Sequence, residues 1–286
     1  MAIDYDALLN RKFDDVEIEY DFNKTIIYAL GLNVGHDPLD VDQLRYVYEE
    51  NLAALPTMAV VLAGPGFWLQ DADTGVDWVK VLHGEQGVTI HKSIPAEGSV
   101  IGRTRVTEII DKGEGRGALL YTEKKLFDRK SGDLLATCDS TAFCRGDGGF
   151  GGPEKRALAP HTLPERAPDD IVDWPTLPQS ALIYRLSGDY NPLHADPEVA
   201  KAAGFPKPIL HGLCSYGIAQ LAVMKAYCGF DGDKLRDFKL RFTAPVFPGE
   251  TIRVEMWRDG DAVSFRARSK ERDLVVLNNG RALLDK

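Results

Sequence analysis

Residues 213 to 227 read Leu213-Cys-Ser-Tyr-Gly-Ile-Ala-Gln-Leu-Ala-Val-Met-Lys-Ala-Tyr227, a run that is apolar on nearly every side. Gln220 and Lys225 are its main polar exceptions. A helix that is apolar around its whole circumference lies inside a core, because it has no polar face to turn toward water. The run therefore predicts one buried helix in the C-terminal part of the chain.

Three segments after this run alternate apolar and polar residues, which is the pattern of antiparallel strands with one buried face. Their apolar positions are Phe238, Leu240 and Phe242, then Ile252, Val254 and Met256, and finally Val263, Phe265 and Ala267. Upstream, Asp196-Pro197-Glu198 predicts the start of a short helix, with Asp196 as its N-cap. A buried helix followed by an antiparallel meander is an α+β pattern, in which a curved sheet wraps the helix. This is the hot-dog architecture.

The N-terminal half repeats parts of the pattern faintly. Residues 118–127 and 134–143 predict further strands. His83-Gly84 pairs in type with His211-Gly212. No second long apolar helix matches residues 213–227, so we expect two related halves of which the N-terminal copy is incomplete.

A change in composition separates the halves. Gly146 to Pro153 is a glycine-rich run that predicts a flexible segment, and Pro160, Pro164 and Pro168 follow it. We therefore expect an N-terminal domain over residues 1–147, a linker over 148–168 and a C-terminal domain over 169–286.

Composition excludes several classes of protein. The chain has 286 residues and a formal net charge of −9, which argues against nucleic acid as a general partner. Its four cysteines show no metal-ligand spacing and no disulfide framework, which favours a reducing compartment. No apolar run is long enough to cross a membrane, and neither a signal core nor a terminal Ser-Lys-Leu is present. Cytoplasmic localisation without membrane association is the expectation.

The chemistry is concentrated in Tyr184-Arg-Leu-Ser-Gly-Asp-Tyr-Asn-Pro-Leu-His194. Asp189 and His194 are separated by Asn-Pro, and the breakers Gly188 and Pro192 predict that both side chains lie on a turn. A carboxylate and an imidazole that converge on one water can activate it and move its protons. From these residues alone, a surface turn with a structural histidine remains the alternative.

This run resembles the signature of the MaoC-like (R)-specific 2-enoyl-CoA hydratases. Segments 80–86, 111–115 and 241–249 also resemble the two-domain hydratases, so the resemblance covers nearly the whole chain. It implies an α+β tandem (double) hot-dog, with antiparallel sheets wrapped around a central helix and an incomplete N-terminal copy. It also implies the reversible, (R)-specific hydration of trans-2-enoyl-CoA to (3R)-3-hydroxyacyl-CoA.

The resemblance assigns roles to individual residues. It makes Asp189 and His194 the catalytic dyad, and it makes the backbone N–H of Gly212 the donor to the thioester oxygen. That N–H suits the role physically, because a helix N-terminus carries unsatisfied donors and a positive dipole end. The residues that the resemblance places on the substrate are Asn191, His83, Gly84, Lys112 and Phe242.

The resemblance also implies the ligands and partners. The CoA thioester is the substrate, so we expect no separate cofactor and no metal ion. Because CoA is anionic, an acidic protein that binds it should have a local basic mouth. We expect one site per chain and a homodimer of chains. Two alternatives stay open on the same scaffold, an acyl-CoA thioesterase and a non-catalytic acyl-CoA-binding subunit.

Overall fold

The computed structural model describes residues 2–285. Its helices are α1 (Tyr5–Leu9), α2 (Phe22–Gly31), α3 (Val41–Leu44), α4 (Ser180–Tyr184), α5 (Pro197–Ala202) and α6 (Gly212–Tyr227). Its strands are β1 (Val16–Tyr20), β2 (Val81–Ile90), β3 (Gly98–Asp111), β4 (Ala118–Asp128), β5 (Leu134–Cys144), β6 (Asp170–Pro175), β7 (Leu235–Phe242), β8 (Thr251–Asp259), β9 (Ala262–Ser269) and β10 (Leu274–Leu284). Short 3₁₀ helices connect several of these elements, among them Pro56–Val60, Arg185–Ser187 and Pro192–His194.

The strands form one antiparallel sheet in the order β1-β3-β4-β5-β2-β7-β10-β9-β8-β6. The first five belong to the N-terminal half and the last five to the C-terminal half. The halves join where β2 pairs with β7, with Val88 opposite Phe238. Two five-stranded sheets are thus joined edge to edge, and the predicted α+β double hot-dog is confirmed.

The central helix α6 begins one residue before the predicted start and packs against β6, β7, β8 and β10. Its polar residue Gln220 is fully buried, and its side-chain oxygen accepts hydrogen bonds from the backbone N–H, at 3.1 Å, and the hydroxyl of Thr57. A polar group can stay in the core here because it is hydrogen-bonded. At Gly217, a Cβ would lie only 2.7 Å from the side chain of Leu32, so the glycine allows the N-terminal half to pack closely.

The N-terminal sheet has no helix comparable with α6 among residues 2–285. The 3₁₀ helix Pro56–Val60 packs against β2 and β5 instead. Lys124 is buried beneath this helix, and its ammonium donates to the carbonyls of Ala59 (3.0 Å), Val60 (3.1 Å) and Leu62. Burial lowers the pKa of Lys124. The predicted incompleteness of the N-terminal copy is confirmed.

The two halves share one hydrophobic core. The indole N–H of Trp174 donates to the carbonyl of Leu32 at 2.9 Å, and the side-chain amide of Asn33 donates to the carbonyl of Pro175 at 2.8 Å. The proposed boundaries at 147 and 169 therefore flank a segment without helix or strand, but they do not separate independently packed bodies.

Two expectations from sequence are corrected. The glycine-rich run is not free to move along its whole length, because the N–H groups of Gly149 and Gly151 both bond to the carboxylate of Asp111, at 2.8 Å each. The likeness of His83-Gly84 to His211-Gly212 does not reflect equivalent positions. The first pair lies inside strand β2, whereas the second immediately precedes and opens α6.

Candidate active site

A sequence of turns brings Asp189 and His194 together. Helix α4 continues into the 3₁₀ helix Arg185–Ser187 and stops at Gly188, whose φ of +124° favours glycine. The carboxylate of Asp189 then accepts the N–H of Asn191 at 3.1 Å, and the Asn191 side chain accepts the N–H of Leu193 at 3.0 Å. The oxygen of Asn191 therefore holds the turn.

The dyad residues approach each other closely. A carboxylate oxygen of Asp189 lies within 4.8 Å of a ring nitrogen of His194. Nδ1 of His194 is 2.8 Å from the carbonyl oxygen of Ile209. Since a carbonyl can only accept, Nδ1 carries the proton and Nε2 keeps a free lone pair. His194 thus offers a hydrogen-bond acceptor beside the carboxylate.

The histidine at position 211 is a member of the site that the sequence reasoning missed. Its ring stacks on that of His194, with 3.7 Å between centroids and 28° between planes. Its Nε2 donates to the backbone carbonyl of Asp189 at 3.1 Å, and its Nδ1 is buried without a partner among residues 2–285. In the sequence, only its position next to Gly212 indicated that His211 could belong to the site. The fold places its side chain against the dyad.

Burial keeps the histidines of the site neutral at pH 7. It lowers the pKa of His194, and it lowers the pKa of His83 to about 4. Burial and the neighbouring His194 lower the pKa of His211 to about 4. The guanidinium of Arg185 acts in the same direction on His194 and His211. Neutral imidazoles can accept a proton, as general-base chemistry requires.

Asp189, His194 and His211 are also chemically suitable metal ligands, since one donor atom from each lies within 4.8 Å of the others. However, the two imidazole rings are stacked with 28° between their planes, so lone pairs in the two ring planes are poorly placed to converge on one ion. A shared metal ion needs convergent donors in the ring planes. This geometry disfavours a metal centre, and a metal-free site stays a prediction.

Gly212 opens helix α6, and its N–H has no hydrogen-bond acceptor within the described part of the chain. The N-cap residue His211 supplies no side-chain cap, so the first N–H groups keep their donor capacity. A Cβ at Gly212 would lie 3.2 Å from the ring of Phe242, which is a tight contact. The glycine therefore leaves the helix terminus accessible beside this aromatic ring.

A cavity of about 940 Å³ lies where the halves meet. Its walls include Gly84 and Lys112 from the N-terminal half and Phe242 from the C-terminal half, three of the residues predicted to contact substrate. Asp189 and His194 do not line this cavity, but its wall residue Phe242 lies against Gly212. The volume is within the range of ligand pockets.

Strand β2 contributes Gly84 to the cavity wall, and His83 lies next to it in the same strand. Gly84 is the extra residue of a β-bulge opposite β5, and a Cβ there would lie 3.1 Å from the carbonyl oxygen of Thr141. The His83 ring packs on Phe242 with 4.6 Å between centroids, and Nε2 lies 3.2 Å from the hydroxyl of Ser140. His83 thus faces Phe242 across the seam between β2 and β7.

Comparison with known families accounts for most of the chain. A model described as MFE-2 hydratase 2 N-terminal domain matches residues 18–146. A second, described as MaoC like domain, matches residues 160–279. The two matches together span both halves of the sheet.

Similar proteins agree with these matches. Enoyl-CoA hydratase 2, peroxisomal, from Arabidopsis thaliana is 38% identical over 294 residues, covering 95% of this chain and 93% of that protein. The crystal structure of a MaoC-like dehydratase from Phytophthora capsici superposes with a TM-score of 0.87 at 34% identity, covering 99% of this chain and 98% of the other. A Mycobacterium tuberculosis protein described as a double hot-dog shares the fold alone, with a TM-score of 0.55 at 14% identity, covering 99% of each chain.

No helix within residues 2–285 is long and apolar enough to cross a membrane. The peroxisomal location in the Arabidopsis name belongs to that protein. The cytoplasmic location expected from the sequence stays a prediction.

Proposed function

The chain belongs to the MaoC-like hydratase 2 family, and on that premise we propose that it hydrates trans-2-enoyl-CoA thioesters to (3R)-3-hydroxyacyl-CoA, and catalyses the reverse dehydration. Membership of the family makes it a hydro-lyase. One observation supports the proposal most. A carboxylate oxygen of Asp189 lies within 4.8 Å of a ring nitrogen of His194, and the His194 ring stacks on the residue that precedes Gly212. Phe242, a wall residue of the cavity between the halves, lies against Gly212.

The proposed reaction uses one water. The water donates one hydrogen bond to Asp189 and one to Nε2 of His194, so a lone pair of its oxygen is directed at C3. As the C3–O bond forms, the π electrons move toward the thioester, and the charge on its oxygen is stabilised by the N–H of Gly212. One O–H bond of the water breaks as its proton passes to the dyad, and the dyad then delivers one proton to C2 on the same face. The other O–H bond remains in the product alcohol.

The dyad acts as a pair in this proposal. Because the two groups share one water, they titrate together, and we assign neither as the sole base or acid. Both protons of the reaction come from water, so the chemistry needs no redox cofactor and no metal ion. The handedness of the product is taken from the family, whereas delivery to one face follows from both groups lying on one turn.

His211 is proposed as a positioning residue. It touches neither substrate nor water in this scheme. Its N–H holds the main chain of Asp189, and its ring supports the ring of His194, so both dyad members are fixed by one side chain. Such support matters because small displacements of a catalytic group lower the rate strongly.

An assay of the purified protein with crotonyl-CoA and a longer trans-2-enoyl-CoA tests the proposal. Hydration removes the enoyl absorbance, and the product should be oxidised by an (R)-specific 3-hydroxyacyl-CoA dehydrogenase with formation of NADH. Oxidation by an (S)-specific dehydrogenase would contradict the stereochemistry. Release of free thiol would indicate a thioesterase, and the absence of both reactions would indicate a binding role.

A further inference from the structure

Four buried aromatic rings form a row that runs from the dyad into the N-terminal half. The ring of His211, which stacks on that of His194, also lies against Tyr184, with 5.1 Å between centroids and 48° between planes. Tyr184 in turn lies beside Tyr28, with 5.9 Å between centroids and 51° between planes. These separations are within the range in which aromatic rings attract one another. We call these four residues the aromatic row.

The row is almost completely shielded from water. His194 is 8% exposed, and each of the other three residues is 1% exposed. The proposed reaction uses His194 directly and His211 through its bond to Asp189, but it gives the two tyrosines no task. Because a protein interior is close-packed, displacement of one buried ring displaces its neighbours. The tyrosines are therefore placed to act on the dyad through His211.

The ring of Tyr184, and not its hydroxyl, makes the contact with His211. The hydroxyl is buried and has no hydrogen-bond partner among residues 2–285. An unpaired hydroxyl in a core contributes nothing to stability and costs the free energy of its desolvation. What Tyr184 supplies to the site is thus the packing of its ring.

Helix α2 holds Tyr184 through its backbone and through a ring. A Cβ at Gly31 would lie 3.1 Å from Cα of Tyr184, so the glycine lets α2 approach α4 closely. Tyr28 is three residues earlier on α2 and thus lies on the same side of that helix. Helix α4 leads directly into the 3₁₀ helix and the turn that carries Asp189. Helix α2 therefore fixes the helix from which the catalytic turn emerges.

The far end of the row is anchored by buried hydrogen bonds. The hydroxyl of Tyr28 donates to that of Thr57 at 3.0 Å, and the hydroxyl of Thr57 donates to the side-chain oxygen of Gln220 in α6. Burial raises the pKa of Tyr28, so its hydroxyl remains a donor. A shift of the Tyr28 ring would break these buried bonds, which is costly because the groups have no water to replace them.

We propose that Tyr184 and Tyr28 are positioning residues that keep His211, and through it the dyad, in the geometry of the reaction. The inference rests on the proposed function and gives the N-terminal half a part in turnover. The row restricts the ring of His211, whose Nε2 holds the main chain of Asp189 at 3.1 Å and whose face supports His194. Small displacements of catalytic groups lower the rate strongly.

Substitutions of Tyr184 test the role of its ring. Tyr184→Leu should lower kcat for crotonyl-CoA about 10-fold with KM little changed, because the dyad is displaced while the cavity stays intact. Tyr184→Phe keeps the ring and loses only an unpaired hydroxyl, so its kcat should stay within about 2-fold of wild type. Equal losses in the two variants, or full kcat in Tyr184→Leu, would overturn the proposal for Tyr184.

Tyr28→Leu tests whether the N-terminal half takes part. It should lower kcat about 3- to 10-fold, again with little change in KM. The matched control is Tyr46→Leu, since Tyr46 is also 1% exposed and also bonds across the halves, to the carbonyl of Phe230, but lies outside the row. An equal loss of kcat in the control would attribute the effect to a general loosening of the fold and overturn the role of Tyr28.

Gly31→Ala keeps the test decisive if the leucine variants do not fold. It changes no ring, and alanine favours the helix. Its Cβ should displace Tyr184 and lower kcat about 3-fold or more. Wild-type kcat in this variant would overturn the claim that α2 positions the dyad through Tyr184.

A double variant tests the path of the effect. If the ring of Tyr184 acts through that of His211, its removal should matter little once His211 is already replaced. Tyr184→Leu/His211→Gln should therefore have about the kcat of His211→Gln alone. Losses that multiply would show that Tyr184 acts independently of His211.

Histidine NMR distinguishes failure of the row from failure of the proposed function. If wild type hydrates no thioester, the function fails, but the ring signals still report the geometry. In wild type, His194 should carry its proton on Nδ1 and His211 on Nε2. Tyr184→Leu should shift both signals or mix the tautomers, whereas Tyr46→Leu should not. Unchanged signals in folded Tyr184→Leu would overturn the row.

Discussion

The two halves of the sheet pack against different helical elements. The C-terminal sheet wraps a 16-residue helix that begins directly after His211, whose ring stacks on that of His194. The N-terminal sheet has the short 3₁₀ helix Pro56–Val60, held by the buried ammonium of Lys124. In the proposed function, the half with the long helix provides the reacting groups, whereas the other half adds walls to the cavity that both halves line.

The largest expected effect concerns the half with the helix. Asp189→Asn or His194→Gln should lower kcat about 10²- to 10⁴-fold without unfolding the protein, because each removes a proton acceptor from the shared water. The double variant should be little worse than either single variant. Steady-state hydration of crotonyl-CoA measures this.

The matched control is Asp196→Asn. Asp196 caps helix α5 close to the dyad in sequence, and asparagine caps equally well. This variant should keep wild-type turnover. Near-wild-type hydration by either dyad variant would show that the assignment is wrong.

The next effect concerns His211. His211→Phe keeps a ring to stack on His194 but loses the N–H to Asp189, and His211→Gln keeps a donor but loses the ring. Each should lower kcat about 10- to 100-fold with KM little changed, since the groups that position the dyad affect turnover more than binding. If both variants keep full kcat, His211 has no positioning role, and if only KM changes, it contacts substrate instead.

The helix-poor half depends on Lys124. Lys124→Met should lower the free energy of unfolding by about 2 kcal/mol, because the carbonyls of Ala59, Val60 and Leu62 lose their donor. Urea unfolding measures this. Lys125→Met changes the neighbouring, partly exposed lysine and should stay within about 0.5 kcal/mol of wild type. Equal effects in the two variants would contradict the structural role of Lys124.

A pH series compares one histidine from each half, the half-buried His83 and the buried His211. His83 and His211 have folded pKa values of about 4, against 6.5 for a free histidine. Between these values the unfolded chain binds more protons, so stability is lost as pH falls from 6.5 toward 4, by about 1.4 kcal/mol per pH unit for each group. His83→Gln should reduce the slope of the unfolding free energy against pH by about 1.4 kcal/mol per pH unit between these values. An unchanged slope would contradict a His83 that stays neutral in the folded protein.

The smallest expected difference is between one and two ligands bound per chain. If only the C-terminal half carries the dyad, titration of the inactive Asp189→Asn variant with an (R)-3-hydroxyacyl-CoA should saturate near one ligand per chain. Two equivalent sites would mean that the N-terminal half is a second active centre. Sedimentation of the same sample tests the predicted homodimer of chains, which no contact within one chain reveals.

Much of the fold could be read from local patterns. The all-apolar run predicted α6 within one residue, since a helix without a polar face has only the core to occupy. The strands predicted at 118–127 and 134–143 are also present, and each ends one residue later than predicted, as Ala118–Asp128 and Leu134–Cys144. The Asp196 cap and the short helix after it were predicted correctly as well.

The sequence predicted only part of the candidate site. The turn that carries Asp189 and His194 is local, so its sequence sufficed to single out both residues. The place of His211 and the attachment of the linker to Asp111 were missed, because both depend on partners far away in the chain. The likeness between His83-Gly84 and His211-Gly212 misled for the same reason, since a dipeptide carries no information on whether it lies in a strand or opens a helix.

By itself, then, the sequence determined the buried helix, the alternating strands, the incomplete N-terminal copy and the pairing of a carboxylate with an imidazole on one turn. Each follows from residues within a few positions of one another. The tertiary structure alone decided that β2 pairs with β7, that His211 stacks on His194 and that Asp111 fastens the linker beside a cavity. These contacts join residues that are distant in sequence. Their energies depend on the shared core and on the close approach of backbones, and a local sequence pattern contains no information on either.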